Sequence, residues 1–62
     1  MHNQLAKLRE QKKITQEELA SAAGVSRNHI SKIENGHGVP SLKVLSAIAQ
    51  KLDVKISDIF LP

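Results

Sequence analysis

The stretch Thr15-Gln16-Glu17-Glu18-Leu19-Ala20-Ser21-Ala22-Ala23-Gly24-Val25-Ser26-Arg27-Asn28-His29-Ile30-Ser31-Lys32-Ile33-Glu34-Asn35 decides the fold. Thr15, with Glu18 three positions on, forms a capping box. Its hydroxyl and carboxylate satisfy backbone N–H groups that the first turn of a helix leaves without partners. Ile14 before the cap and Leu19 inside the helix have the spacing of a hydrophobic staple. This helix runs over 16–23. Gly24 stands where a helix stops by turning left-handed, a backbone state cheap only for glycine. Ser26 then caps a second helix over 27–35, with Val25 and Ile30 placed as another staple. Helices joined by so short a turn must cross steeply. Ala20 at the crossing admits close approach, and Leu19, Ala23, Val25, Ile30 and Ile33 supply the apolar contacts that fix the angle.

Helical spacing continues on both sides of this core stretch. Leu5 and Leu8 make an amphipathic helix of 2–12, which ends at the basic pair Lys12 and Lys13. Asn35-Gly36-His37-Gly38-Val39-Pro40 is turn-rich and reads as a loop. Ser41 opens a helix over 41–51, and Leu42, Leu45, Ile48, Ala49 and Leu52 form its apolar stripe. Asp53-Val54-Lys55 interrupts the pattern. Ser57 is the cap candidate for a short last helix over 57–61, carrying Ile59, Phe60 and Leu61. The alternation of a strand never persists. The sequence therefore predicts an all-α fold, a compact five-helix bundle forming a single domain over 1–62.

Composition narrows the function classes. With 62 residues, the chain buries only about 60% of the surface its unfolded form exposes, so its stability is modest or is helped by a partner subunit. There is no cysteine, hence no disulfide framework, thiolate metal site or Cys nucleophile. The core is aliphatic, with Phe60 the one aromatic residue. No apolar run approaches the roughly 18 residues of a membrane span. Met1-His2-Asn3-Gln4 lacks the layout of a secretory signal, so a cytoplasmic protein with no membrane association is expected. His2, His29 and His37 have no metal-ligand spacing. His29 reads as a partly buried edge residue of its helix. With no glycine-rich phosphate loop and no nucleophile–base pairing, the expectation is no enzyme, no metal and no cofactor. The net charge of +3 suits a phosphate-binding surface, and equally plain solubility.

Projection of helix 27–35 at about 100° per residue separates two faces. Ile30 and Ile33 fall on one side. Arg27, Asn28, Ser31, Lys32 and Asn35 share the other, which holds no carboxylate and no large apolar group. Arginine suits guanine O6 and N7, and asparagine suits adenine N6 and N7, so this face is fitted to base edges and phosphates in a major groove. A solvated polar face is the bland alternative. A helical module that binds protein on the same fold is another, but large apolar residues on this face would be its signature. An RNA reader would call for stacking aromatics, which the chain lacks.

Taken with Leu8-Arg9, Thr15 to Ala20, Gly24-Val25-Ser26, Ile30 to Gly36, Pro40-Ser41-Leu42 and Ile48-Ala49, the chain resembles the phage-repressor, Cro-type (XRE) family of helix-turn-helix domains over essentially its whole length. The resemblance implies a lambda-repressor-like bundle that binds double-stranded operator DNA and regulates transcription. It implies that Arg27 and Asn28 are the main base readers, with Ser31 and Lys32 contacting bases or the adjacent backbone. Gln16 would bond a phosphate and brace the recognition helix, and Ser26, Asn35 and Lys43 are further expected backbone contacts. Arg9 and Glu34 match the family's internal salt bridge, and the projection agrees, since it puts Glu34 at the edge of the apolar side. The chain departs from the family at Gly36-His37-Gly38, where many members carry Lys or Arg. Fewer phosphate contacts are expected there.

One recognition helix reads few base pairs, so such domains bind paired half-sites about one turn apart, and a homodimer is expected. The aliphatic segment from Val54 to Leu61 either closes the base of the core or joins two copies. The expectation combines these, with Ile56 and Ile59 inward, and Phe60 and Leu61 at the dimer interface. No sensor domain is expected in the chain. Its switching would come from concentration, from degradation, or from a protein antagonist covering the DNA face.

Overall fold

The computed structural model describes residues 3–37 and 40–60. Its elements are α1 (Leu5–Gln11), α2 (Gln16–Ala23), α3 (Arg27–Glu34), α4 (Leu42–Leu52) and α5 (Ile56–Ile59), and the described residues hold no strand. The central element is α2, which packs on both α3 and α4, while α1 rests on α3 and α5 on α4.

Three helices start as their sequences require. Thr15 Oγ1 accepts the Glu18 N–H at 3.0 Å, and Glu18 Oε1 accepts the Thr15 N–H at 3.0 Å. Ser26 Oγ accepts the His29 N–H at 3.1 Å, and Ser41 Oγ accepts the Val44 N–H at 3.2 Å. Ser57 does not cap the last helix. The start lies earlier, at Lys55, whose N–H is accepted by Asp58 Oδ2 at 3.0 Å. An acid three residues into the helix reaches back and does what a cap side chain would do.

The first four helices end alike. In each, an N–H two or three residues past the end of the helix bonds back to a carbonyl five residues earlier: Ile14 to Arg9, Val25 to Ala20, His37 to Lys32 and Val54 to Ala49, all at 2.9–3.1 Å. This closure needs one residue in the left-handed region. Gly24 at φ +71° and Gly36 at φ +77° fill that place in α2 and α3, whereas Lys13 at φ +58° and Asp53 at φ +57° fill it in α1 and α4.

The core is Leu5, Leu19, Ala20, Ile30, Ile33, Ile48, Ala49, Leu52 and Ile59, drawn from all five helices. Burying each large aliphatic side chain contributes about 1.5–3 kcal/mol. Leu8, Ile14, Ala23, Val25, Val44, Val54, Ile56 and Phe60 pack against it partly buried. Two readings need correction. Leu42, expected in the α4 stripe, is 71% exposed because it sits in the first turn, beyond the buried length of the stripe. Val44 packs on the core in its stead. His29 is exposed rather than partly buried.

Candidate nucleic-acid interface

The site begins with the α2–α3 pairing. Leu19 and Ile30 are fully buried and lock the two helices together. With Ile30 and Ile33 inward, the rest of α3 is turned out. Arg27, Asn28, Lys32 and Asn35 are exposed, and Ser31 is half-buried between them. Ser26 stands at the N-cap of α3, its hydroxyl engaged with the His29 N–H. Lys43, exposed in the first turn of α4, borders a shallow groove with Gly24 and Val25, so it lies beside the turn that launches α3.

The one carboxylate of α3 is removed from this face. Glu34 Oε2 takes the Arg9 Nε–H at 2.6 Å, and its side chain is only 7% exposed, against 13% for Arg9. Arg9 also donates from Nη1 to the Ile14 carbonyl at 2.9 Å. Gln16 joins them, its Nε2 donating to Glu34 Oε1 at 2.9 Å. One carboxylate thus gathers α1, the start of α2 and the end of α3. The primary amide of Gln16 has two N–H donors. With one held by Glu34, the side chain is oriented at the N-terminus of α2, where the helix dipole favours an anion.

A shallow concavity lined by Arg9, Thr15, Gln16, Glu17 and Arg27 connects this network to the first turn of α3. It brings together Gln16 and Arg27, which the sequence placed on separate helices. It also holds Glu17, an exposed acid beside the foremost expected base reader. Projection of α3 alone does not see Glu17, since it belongs to another helix. Asn35 is partly committed within its own helix: its Nδ2 donates to the Ser31 carbonyl at 2.9 Å and approaches Ser31 Oγ at 3.5 Å. That bond ties two face residues into one unit. At the far end of the chain, Phe60 is half-buried against the core, and Leu61 lies outside the described residues.

No group of three or more His, Asp or Glu side chains that could hold a metal ion occurs among the described residues. None of the described helices is long and apolar enough to cross a membrane.

Residues 5–59 match the family model described as helix-turn-helix, and the chain belongs to that family. It is 48% identical over 61 residues to an HTH-type transcriptional regulator of Methanocaldococcus jannaschii, covering 98% of this chain and 92% of that protein. Among solved structures it resembles the restriction-modification controller protein C.AhdI of Aeromonas hydrophila, with a TM-score of 0.82 and 32% identity over 90% of this chain and 85% of that one. It likewise resembles SinR, the master regulator for biofilm formation of Bacillus subtilis, solved in complex with DNA, with a TM-score of 0.75 and 33% identity over 86% of each chain. SinR has also been solved in complex with the SinI protein.

Proposed function

We propose that this helix-turn-helix protein regulates transcription by binding operator DNA, with α3 laid in the major groove. The observation that carries the reading is the face of α3: Arg27, Asn28, Lys32 and Asn35 exposed, and Glu34 drawn off into the pair with Arg9. A groove-facing carboxylate would repel phosphates, and its removal leaves only donors and neutral groups on the outward face of α3.

In this reading Arg27 and Asn28 contact base edges. Ser31 and Lys32 contact bases or adjacent phosphates, and Gln16, Ser26, Asn35 and Lys43 anchor the backbone. The protein acts without catalysis or cofactor, in the cytoplasm. It binds as a homodimer on paired half-sites, with Phe60 and Leu61 at the interface. A protein antagonist is a further partner of this reading, and SinR, which this chain resembles, does form a complex with another protein, SinI.

The test is enrichment from a random duplex library, wild type beside an Arg27→Ala, Asn28→Ala double variant. An inverted repeat enriched by the wild type and lost in the variant is the expected outcome, and its spacing reports the dimer geometry. No enrichment at low salt would sink the reading and favour a protein-binding module on the same fold.

A further inference from the structure

Asn3 is half-buried and stands just ahead of α1, which starts at Leu5 and not at residue 2 as its spacing suggested. Its side chain spans two helix ends. Oδ1 accepts the Leu5 N–H at 3.0 Å, capping the start of α1, and Nδ2 donates to the Ile33 carbonyl at 2.8 Å, thirty residues away at the end of α3. The next residue completes a clip, since the Gln4 N–H donates to the Ile59 carbonyl of α5 at 2.6 Å.

We propose that Asn3 is a positioning residue that sets the C-terminal end of the recognition helix, and with it the groove-facing side chains of its last turn. The proposal rests on the reading of α3 as the DNA-reading element. The Ile33 carbonyl belongs to the negative end of the α3 dipole and already accepts the Gly36 N–H at 3.1 Å. A backbone carbonyl points along its helix axis, whereas the Glu34 side chain points away from it. The Asn3 bond therefore holds α3 along its axis, and the Arg9–Glu34 pair on the adjoining residue holds it sideways. Both ties come from the α1 end of the chain, which Leu5 anchors in the core. Base recognition by Lys32 and its neighbours needs side chains held to about 0.5 Å and 10–20°, a tolerance that one tie alone does not guarantee. Asparagine fits because its amide offers an acceptor and a donor on adjacent atoms. Aspartate offers acceptors alone, and serine is too short to reach both partners.

Asn3→Asp and Asn3→Ser separate the clip from the cap, since each keeps an oxygen for the Leu5 N–H. Each is compared with wild type at a temperature where thermal melts show full folding, and the serine variant serves if the aspartate one does not fold. Amide hydrogen exchange at Gly36 and His37, which close the end of α3, should accelerate in both variants, most in Asn3→Asp. The affinity ratio between the enriched duplex and random duplex should fall by about fivefold, the equivalent of one net hydrogen bond, with an unchanged salt slope. A merely structural residue would lower the melting temperature and leave both readouts of the folded protein at wild-type values, and that result overturns the proposal. If wild type prefers no duplex, the reading of α3 fails on its own account. The clip is then decided by exchange: acceleration confined to the end of α3 upholds it, and uniform or absent acceleration overturns it.

Discussion

Gln16 and Glu34 are joined by a 2.9 Å hydrogen bond across eighteen residues of sequence. The carboxylate that receives it also receives Arg9 on its other oxygen at 2.6 Å. Two acceptor oxygens are needed to serve an amide and a guanidinium at once, which selects a carboxylate at this position. The guanidinium neutralises the only acid of α3, and both bonds hold it away from the outward face.

Loss of Glu34 should therefore be costly. Glu34→Ala leaves the Arg9 guanidinium, 13% exposed, without its main partner. Stranding one member of such a nearly buried pair typically costs about 3–5 kcal/mol, a large share of what so small a domain has. Urea unfolding reads this directly. The double variant Arg9→Met, Glu34→Leu should recover part of the loss. The remainder reflects the Ile14 carbonyl, which Arg9 also bonds at 2.9 Å. A single-variant cost below about 1 kcal/mol would mean that the pair behaves as a solvent-screened surface bridge.

The left-handed helix ends make opposite predictions at two kinds of residue. Lys13 at φ +58° and Asp53 at φ +57° occupy a region that costs a non-glycine residue about 1–2 kcal/mol, so Lys13→Gly and Asp53→Gly should each be stabilising. The larger entropy of an unfolded glycine offsets part of that, leaving a gain of about 0.5 kcal/mol. Gly24→Ala should lose about 1 kcal/mol by the same rule. A Cβ there meets nothing within 4 Å, so the loss isolates backbone strain from packing. Melting curves of the three variants test the set, and stabilisation by Gly24→Ala would contradict it.

These same ends mark where the sequence was legible. Thr15 with Glu18, Ser26, Ser41 and Gly24 carry their instruction in their own chemistry, so caps and turn could be read without a structure. Lys13 carries none, and Asp53 only the modest tolerance of an aspartate for this region. Their left-handed state is imposed by the bond that the following residue makes back into the helix. Ser57 misled because Asp58 supplied the capping bond for Lys55 instead. Leu42 misled because an angular stripe says nothing of whether a neighbour stands at that height on the helix. The outward face of α3 follows from periodicity alone. The bonds of Glu34 to Gln16 and of Ile33 to Asn3 do not, because each joins residues far apart in sequence through atoms that no local pattern constrains.

Acid should weaken the start of α2. The Thr15 N–H and hydroxyl hold the Glu18 carboxyl below the ordinary glutamate value, Lys51 adds to this, and slight desolvation opposes it. The native state thus binds this proton less readily than the unfolded chain. The resulting stability is complete above the unfolded pKa, near pH 4.3, and is lost as pH falls through the lower native value. Glu18→Gln keeps an acceptor for the Thr15 N–H but cannot titrate. The urea midpoint of the wild type should fall more steeply between about pH 5 and 3 than that of the variant. Parallel curves would show that other carboxylates dominate the acid transition.

Variants of Arg27 and Lys43 test the proposed division between base reading and backbone anchoring. Both are exposed, Arg27 at the start of α3 and Lys43 beside the turn that precedes it. Arg27→Ala should cost about 1–3 kcal/mol at the enriched duplex and relax preference at one base pair, because a bidentate contact to guanine has no equivalent on other bases. Lys43→Ala should weaken every duplex alike and lower the slope of log affinity against log salt by about one, the signature of one neutralised phosphate. Binding isotherms at several salt concentrations, on the enriched and a scrambled duplex, give both quantities from one data set. Equal losses on both duplexes for both variants would abolish the division of roles, leaving Arg27 as a second phosphate anchor and moving base reading to Asn28 and Lys32.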